Sequence, residues 1–275
     1  MNQVEVEGLQ IAYERMGGGP PLALAHGFVG DARSTWSSQL HSLSDEFTVV
    51  AWDAPGAGRS SRPPEWFRLR DYADCFAAFL RVLGLDQVHL VGLSFGGALA
   101  LATFERHQTL TRSLVLMGAY AGWAGSLGPE EAEKRLQFCL GVADLQPADF
   151  ERAMLRSMFS TSAPEEAVAR FAAGVRAFDP AGFRAMAHAS AEADLGDMLP
   201  TVDVPALILN GDQDVRAPLT VAAALRDAIP RSRLVVLPGV GHVSPVEAPD
   251  LLSGEIRSFL VGIASVGLGE RDAGR

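Results

Sequence analysis

The segment 88–100, Val-His-Leu-Val-Gly-Leu-Ser-Phe-Gly-Gly-Ala-Leu-Ala, constrains the fold more than any other stretch of the chain. An apolar run of strand character passes through Gly-x-Ser-x-Gly straight into a helix of small residues, the form of a nucleophile elbow. Glycine is needed at Gly92 and Gly96 because so sharp a turn brings backbone segments together where a side chain would clash. Ser94 is left projecting its hydroxyl at a helix start, whose N–H groups face any negative charge that develops there. The five-residue pattern alone is common as a chance turn. The strand before it and the helix after it give it meaning.

The same rhythm governs the rest of the first half. Runs at 22–25, 47–52, 88–93, 112–117, 206–209 and 233–237 are mostly near-continuous apolar strands, as expected where helices cover both faces of a parallel sheet. Residues 3–6 and 10–15 form an antiparallel lead-in. Leu69, Tyr72, Phe76, Phe79, Leu80 and Leu83 recur at helical spacing, and Gly84 supplies the stop. After Gly118 the strand pattern ceases, and helix starts follow at Pro129, Pro147, Pro164 and Asp179-Pro180. These patterns predict an α/β core with a mostly parallel central sheet, built from 1–118 and 204–262. A helical cap is inserted at 119–203, and a frayed tail occupies 263–275. Phe138, Phe150, Phe159, Phe171 and Phe183 are expected to form the cap's own small core.

Composition removes several function classes. With 275 residues, 48% of them hydrophobic, the chain can bury a substantial core, which excludes disorder as its main state. Against 33 acidic residues stand 23 basic ones, a net charge of −10 without a basic cluster, so no nucleic acid partner is expected. Cys75 and Cys139 have neither disulfide-framework nor zinc-ligand spacing, so no metal is expected and a reducing compartment fits. Neither a leader-type N-terminus nor a membrane span is apparent, so a soluble, cytoplasmic protein without a membrane partner is expected, its oligomeric state open. Gly56-Ala57-Gly58-Arg59-Ser60 lacks the Gly-Lys-Ser/Thr ending of a nucleotide loop.

Together with the elbow, four segments carry a family resemblance: His26-Gly27-Phe28, Asp53 to Ser60, Gly211 to Pro218, and Gly239-Val240-Gly241-His242. Over about 8–260 the chain resembles the α/β-hydrolase fold superfamily, specifically its cap-bearing esterase, lactonase and haloperoxidase-like branch. The resemblance implies the α/β-hydrolase fold and a hydrolase without a cofactor. Epoxide hydrolases and haloalkane dehalogenases place a carboxylate at the elbow, and Ser94 separates this chain from both.

A serine hydroxyl needs a base within reach, and the base needs an acid to fix its tautomer. Among six histidines, His242 lies in a Gly-rich loop after a β-rich run and follows Ser94 and Asp214 in the Ser, Asp, His order of this fold. His26 is expected to be structural beside the oxyanion loop, and His41, His89, His107 and His188 to be packing or surface residues. Asp212 and Asp214 both follow strand 206–209, and the resemblance favours Asp214, leaving Asp212 as a turn residue. The oxyanion donors are the backbone N–H of Phe95, by position, and of Phe28, by resemblance. Trp123 either faces the substrate or holds the cap down. The expected function is cleavage of an ester, lactone or related acyl bond of a small apolar substrate through an acyl-enzyme. A carbon-carbon (diketone) hydrolase, a perhydrolase and a biosynthetic thioesterase would use the same triad. A receptor-like ligand binder would keep the fold with little turnover.

Overall fold

The computed structural model describes residues 2–272. Eight strands form one sheet: β1 (Asn2–Val6), β2 (Leu9–Met16), β3 (Pro21–Ala25), β4 (Thr48–Trp52), β5 (Val88–Leu93), β6 (Thr111–Met117), β7 (Ala206–Gly211) and β8 (Ser232–Leu237). Their spatial order is β1-β2-β4-β3-β5-β6-β7-β8. Only the pairings of β2, with β1 and with β4, are antiparallel. Every other pairing is parallel. Each strand lies where the sequence predicts one. β4, β5 and β7 are buried along their whole length, which explains why they lack a polar alternation.

Eleven α-helices complete the described chain: α1 (Ala32–Ser42), α2 (Leu69–Val82), α3 (Phe95–Arg106), α4 (Trp123–Leu127), α5 (Pro129–Val142), α6 (Pro147–Leu155), α7 (Glu165–Arg176), α8 (Pro180–Glu192), α9 (Leu219–Ala228), α10 (Ser244–Glu247) and α11 (Pro249–Asp272). Helix α2 buries the predicted stripe of Leu69, Tyr72, Phe76, Phe79 and Leu80. It ends at Gly84, whose φ of +69° stops a helix. Helix α11 runs from Pro249 to Asp272, past Gly262, where the sequence predicts the start of a frayed tail. Residues 273–275 lie outside the described residues.

Between β6 and β7 stand α4 to α8, with no strand among the described residues. Phe150, Phe171 and Phe183 are buried there, and Phe159 packs edge-on against Phe171 at 5.6 Å. Phe138 departs from the expected cap core, being 50% exposed. The buried stripe of α5 consists of Ala132, Leu136, Cys139 and Val142, and Phe138 falls off that face.

The cap is fastened to the core at the loop that precedes α10. The Val243 N–H donates to the Met158 carbonyl at 3.1 Å. The buried Glu247 carboxylate accepts from the N–H of Gly241 at 3.1 Å, from the N–H of Ser160 at 3.2 Å, and from the Ser160 hydroxyl. Cap backbone therefore grips the chain on both sides of residue 242. Removing a buried acceptor strands its donors at about 1–3 kcal/mol. Glu247→Ala should accordingly lower the thermal midpoint by several degrees. Glu247→Gln, which keeps an acceptor oxygen, should lose less, and an unchanged midpoint in the alanine variant would show that the carboxylate fastens nothing.

His89, inside β5, is buried with Nδ1 at 2.7 Å from the Ser113 hydroxyl of β6. Burial, aided by the charge of Arg112, pushes its imidazole down to about 4. Between that value and the ordinary 6.5, the unfolded chain takes up a proton that the folded chain refuses, so stability falls on acidification. Denaturant midpoints at pH 7 and pH 4.5 should reveal a loss on the order of 2–3 kcal/mol that is absent from His89→Gln. Equal acid sensitivity in both proteins would assign the loss to other groups.

Candidate active site

The candidate residues leave the carboxyl ends of neighbouring parallel strands: Ser94 after β5, Gly118 after β6, Asp214 after β7 and His242 after β8. Their loops share one rim. Two strand spacings, about 10 Å, separate the chain at Ser94 from that at Asp214, and an imidazole reaching back from beyond β8 can bridge such a gap. The chain from β3 crosses to β4 on one side, and β5 lies on the other, so the oxyanion loop and the elbow meet where the strand order reverses.

Ser94 has φ +54° and ψ −110°, a left-handed conformation that a non-glycine residue holds at a cost of about 1–3 kcal/mol. Its N–H donates to the Met117 carbonyl at 2.8 Å, and its own carbonyl accepts from the N–H groups of Gly97 and Ala98 at 2.9 and 3.2 Å. A Cβ on Gly96 would stand 2.1 Å from the Ala25 carbonyl oxygen, so only glycine lets the elbow press against β3.

His242 Nδ1 lies 2.8 Å from Asp214 Oδ2, and Asp214 Oδ1 accepts from the N–H groups of Arg216 at 2.9 Å and Ala217 at 2.8 Å. Burial alone would raise the Asp214 carboxyl. The imidazole and the two N–H donors outweigh it and hold the group below its ordinary range. Asp214 therefore remains a carboxylate that accepts the Nδ1 proton, which leaves the lone pair on Nε2. The ring lies against Gly118, φ +49°, where a Cβ would approach Nδ1 to 2.9 Å and Asp214 Oδ2 to 3.1 Å. Among the described residues, the Ser94 hydroxyl makes no hydrogen bond to His242. Both lie beneath the cap, Ser94 6% and His242 5% exposed.

The loop after β3 is fixed by two buried polar groups. His26 Nε2 accepts the Ala54 N–H at 3.0 Å, so its Nδ1 carries the proton donated to the Gly27 carbonyl at 2.5 Å. Asp53 accepts the N–H groups of Ala32 at 2.9 Å and Arg59 at 3.0 Å while burial pushes its carboxyl upward. A Cβ on Gly27 would lie 3.7 Å from that of Ser94, so this loop runs beside the elbow. Among the described residues no acceptor is paired with the N–H of Phe28 or Phe95. The Phe28 ring stacks on Phe183 of α8 at 5.2 Å and meets Trp123 edge-on at 5.9 Å. Trp123 is 5% exposed and also lines a cavity of about 210 Å³ with Arg135, Phe138, Cys139, Ser157, Val215 and Arg216.

The other histidines lie elsewhere: His41 bonds the Ser37 carbonyl, His107 bonds Asp74, and His188 faces Glu192. Asp212 accepts the Gly239 N–H at 2.7 Å and is exposed, a turn anchor. Cys75 and Cys139 are free and buried, their thiols pushed up to about 12 and about 11 by burial. Among the described residues no cluster of His, Cys, Asp and Glu could hold a metal ion, and no helix is long and apolar enough to cross a membrane. Sequence reasoning gave no role to Arg216 or Glu247. Neither belongs to a local pattern, and each has a partner in the distant cap, Ser157 for Arg216 and Ser160 for Glu247.

The family model for the alpha/beta hydrolase fold matches residues 20–249. The chain is similar to pyrrolizixenacetamide deacetylase of Xenorhabdus hominickii, 25% identical over 270 residues, covering 95% of this chain and 98% of that protein. It is also similar to serine hydrolase BPHL of Mus musculus, 28% identical over 267 residues, covering 94% of this chain and 85% of that protein. A thermophilic esterase from Thermogutta terrifontis superimposes with a TM-score of 0.88 at 29% identity, covering 96% of this chain and 99% of that one. The chain belongs to the α/β-hydrolase fold family and is a hydrolase.

Proposed function

We propose that the chain is a serine hydrolase that cleaves an ester, lactone or related acyl bond of a small substrate through the triad Ser94, His242 and Asp214. The observation that carries this reading is the His242–Asp214 pair, 2.8 Å apart, on the rim where Ser94 stands strained at the start of α3. Nε2 takes the Ser94 proton as the oxygen attacks the carbonyl carbon, and Asp214 stabilises the imidazolium that results. The charge arriving on the carbonyl oxygen falls to the N–H groups of Phe28 and Phe95, each such donor typically worth about 10²–10³ in rate. The imidazolium returns its proton to the leaving group. Water, deprotonated by the same imidazole, then releases the acyl group and restores Ser94.

Ser94 is almost covered, so substrate entry requires the cap to shift relative to the rim. That movement would also let the Ser94 hydroxyl and Nε2 draw together, since catalytic hydrogen bonds are often loose before substrate binds. Trp123 and the ring of Phe28, in edge contact at the base of the cap, are suited to receive the acyl portion. The similarity to an esterase over nearly the whole chain supports an oxygen ester as the first substrate class to examine.

A fluorophosphonate probe should label wild-type protein at Ser94, and Ser94→Ala should lose both the label and ester turnover, by a factor on the order of 10⁴ or more. Undiminished turnover in that variant would falsify the nucleophile assignment. Asp214→Asn should retain the fold yet lower kcat by roughly 10⁴, because an amide in that position no longer enforces the tautomer. In the wild type kcat/KM should fall on acidification, since a protonated imidazole accepts nothing. A profile flat from pH 8 to 5, with the chemical step limiting, would remove His242 from the role of base.

A further inference from the structure

Arg216 is the unexplained charge near this site. Its main chain serves Asp214, yet its side chain turns toward the cap. The guanidinium carbon sits 5.6 Å from the centroid of the Phe28 ring, and one donor meets the Ser157 hydroxyl at 3.1 Å. No carboxylate among the described residues is within ion-pair distance of it. Both oxygens of the nearby Asp214 are already committed, to His242 and to backbone N–H groups. Other arginines of this acidic chain find counter-charges: Arg106 holds Asp74, and Arg257 holds Asp45 and Glu46. Burial pulls the Arg216 guanidinium below its ordinary pKa, as it does for a covered cation that lacks full compensation.

A second guanidinium faces the same space. Arg135 of α5 donates to the Tyr120 hydroxyl at 2.8 Å and to the Arg216 carbonyl at 3.2 Å, and lines the cavity of about 210 Å³ together with Arg216. Phe138, 50% exposed, and Val215, 71% exposed, are apolar side chains of that same cavity. Arg135 also pairs with Glu131 at 3.3 Å, so of the two cations that line this cavity beside Trp123 and the Ser157 hydroxyl, Arg216 is the one without a carboxylate.

We infer that the acyl substrate carries a carboxylate, which seats in this cavity on Arg216, with Arg135 alongside, while the scissile carbonyl reaches toward Ser94 past Trp123 and Phe28. The inference rests on the hydrolytic reading above. A guanidinium presents a planar fork of donors that a carboxylate can meet with both oxygens, and such a pair would supply the counter-charge that the chain itself withholds. The site would then favour the half-ester of a dicarboxylic acid, or a lactone bearing an acid group, over a wholly neutral ester.

Mono-p-nitrophenyl glutarate and p-nitrophenyl valerate, matched in length and differing in a terminal carboxylate against a methyl group, test this on the intact protein. The wild type should prefer the glutarate by at least tenfold in kcat/KM, chiefly through KM. Arg216→Gln should abolish the preference, and Arg135→Gln should reduce it. Arg152→Gln, an exposed arginine outside this cavity, should leave the ratio as it is. Equal use of the two esters by the wild type, or a preference that persists in Arg216→Gln, overturns the inference. Should that variant not fold, full retention of the preference in Arg135→Gln overturns it instead. If neither ester is turned over and the fluorophosphonate leaves Ser94 unlabelled, the hydrolytic reading fails by itself. Calorimetry with glutarate then decides the subsite: binding that is lost in Arg216→Gln supports it, and no binding to the wild type overturns it.

Discussion

The molecule depends on how closely the backbone after β5 can approach the backbone after β3. At Gly96 there is no room for even a methyl group against the Ala25 carbonyl, and the left-handed Ser94 exists because that contact and the Met117 carbonyl leave it no alternative. The strain is small beside the burial around it. β5 and α3 are buried along nearly their whole length, and each large apolar side chain contributes about 1.5–3 kcal/mol by leaving water. Packing thus holds a hydroxyl in a conformation that the residue by itself would abandon.

A different set of interactions fixes the His242–Asp214 pair on the same rim. Asp214 remains charged in the interior because an imidazole and two backbone donors surround it, and its charge in turn dictates which nitrogen of His242 bears the proton. The chain around His242 is tied to the cap on both sides, directly to Met158 and, by way of Glu247, to Ser160. Cap position and imidazole position are therefore coupled. The aromatic chain of Phe178, Phe150, Phe183, Phe28 and Trp123 links the cap to the oxyanion loop in the same way, ring against ring. The cap is thus tied to both halves of the rim.

Much of this was legible in the residues. Strand positions followed from apolar runs, because a strand covered on both faces has no reason to alternate, and helix starts in the cap followed from prolines that only a first turn tolerates. The Gly-x-Ser-x-Gly elbow was readable because its strand, turn and helix follow one another in a single continuous run, although the contacts that press it into place come from Ala25 and Met117. Phe138 was misjudged as cap core since an isolated aromatic does not reveal which face of a helix it occupies.

Sequence alone determined the order of strands and helices, where the turn at Ser94 falls, and which side chains were chemically able to serve as base and acid, for these are written in local patterns and residue chemistry. The tertiary structure decided between Asp214 and Asp212 as partner of His242, set Glu247 beneath the cap, and turned Arg216 into a cavity with no acid to meet it. Those outcomes depend on contacts between residues tens of positions apart, whose energies exist only once the sheet has brought the strand ends to one rim and the cap has excluded water from above them.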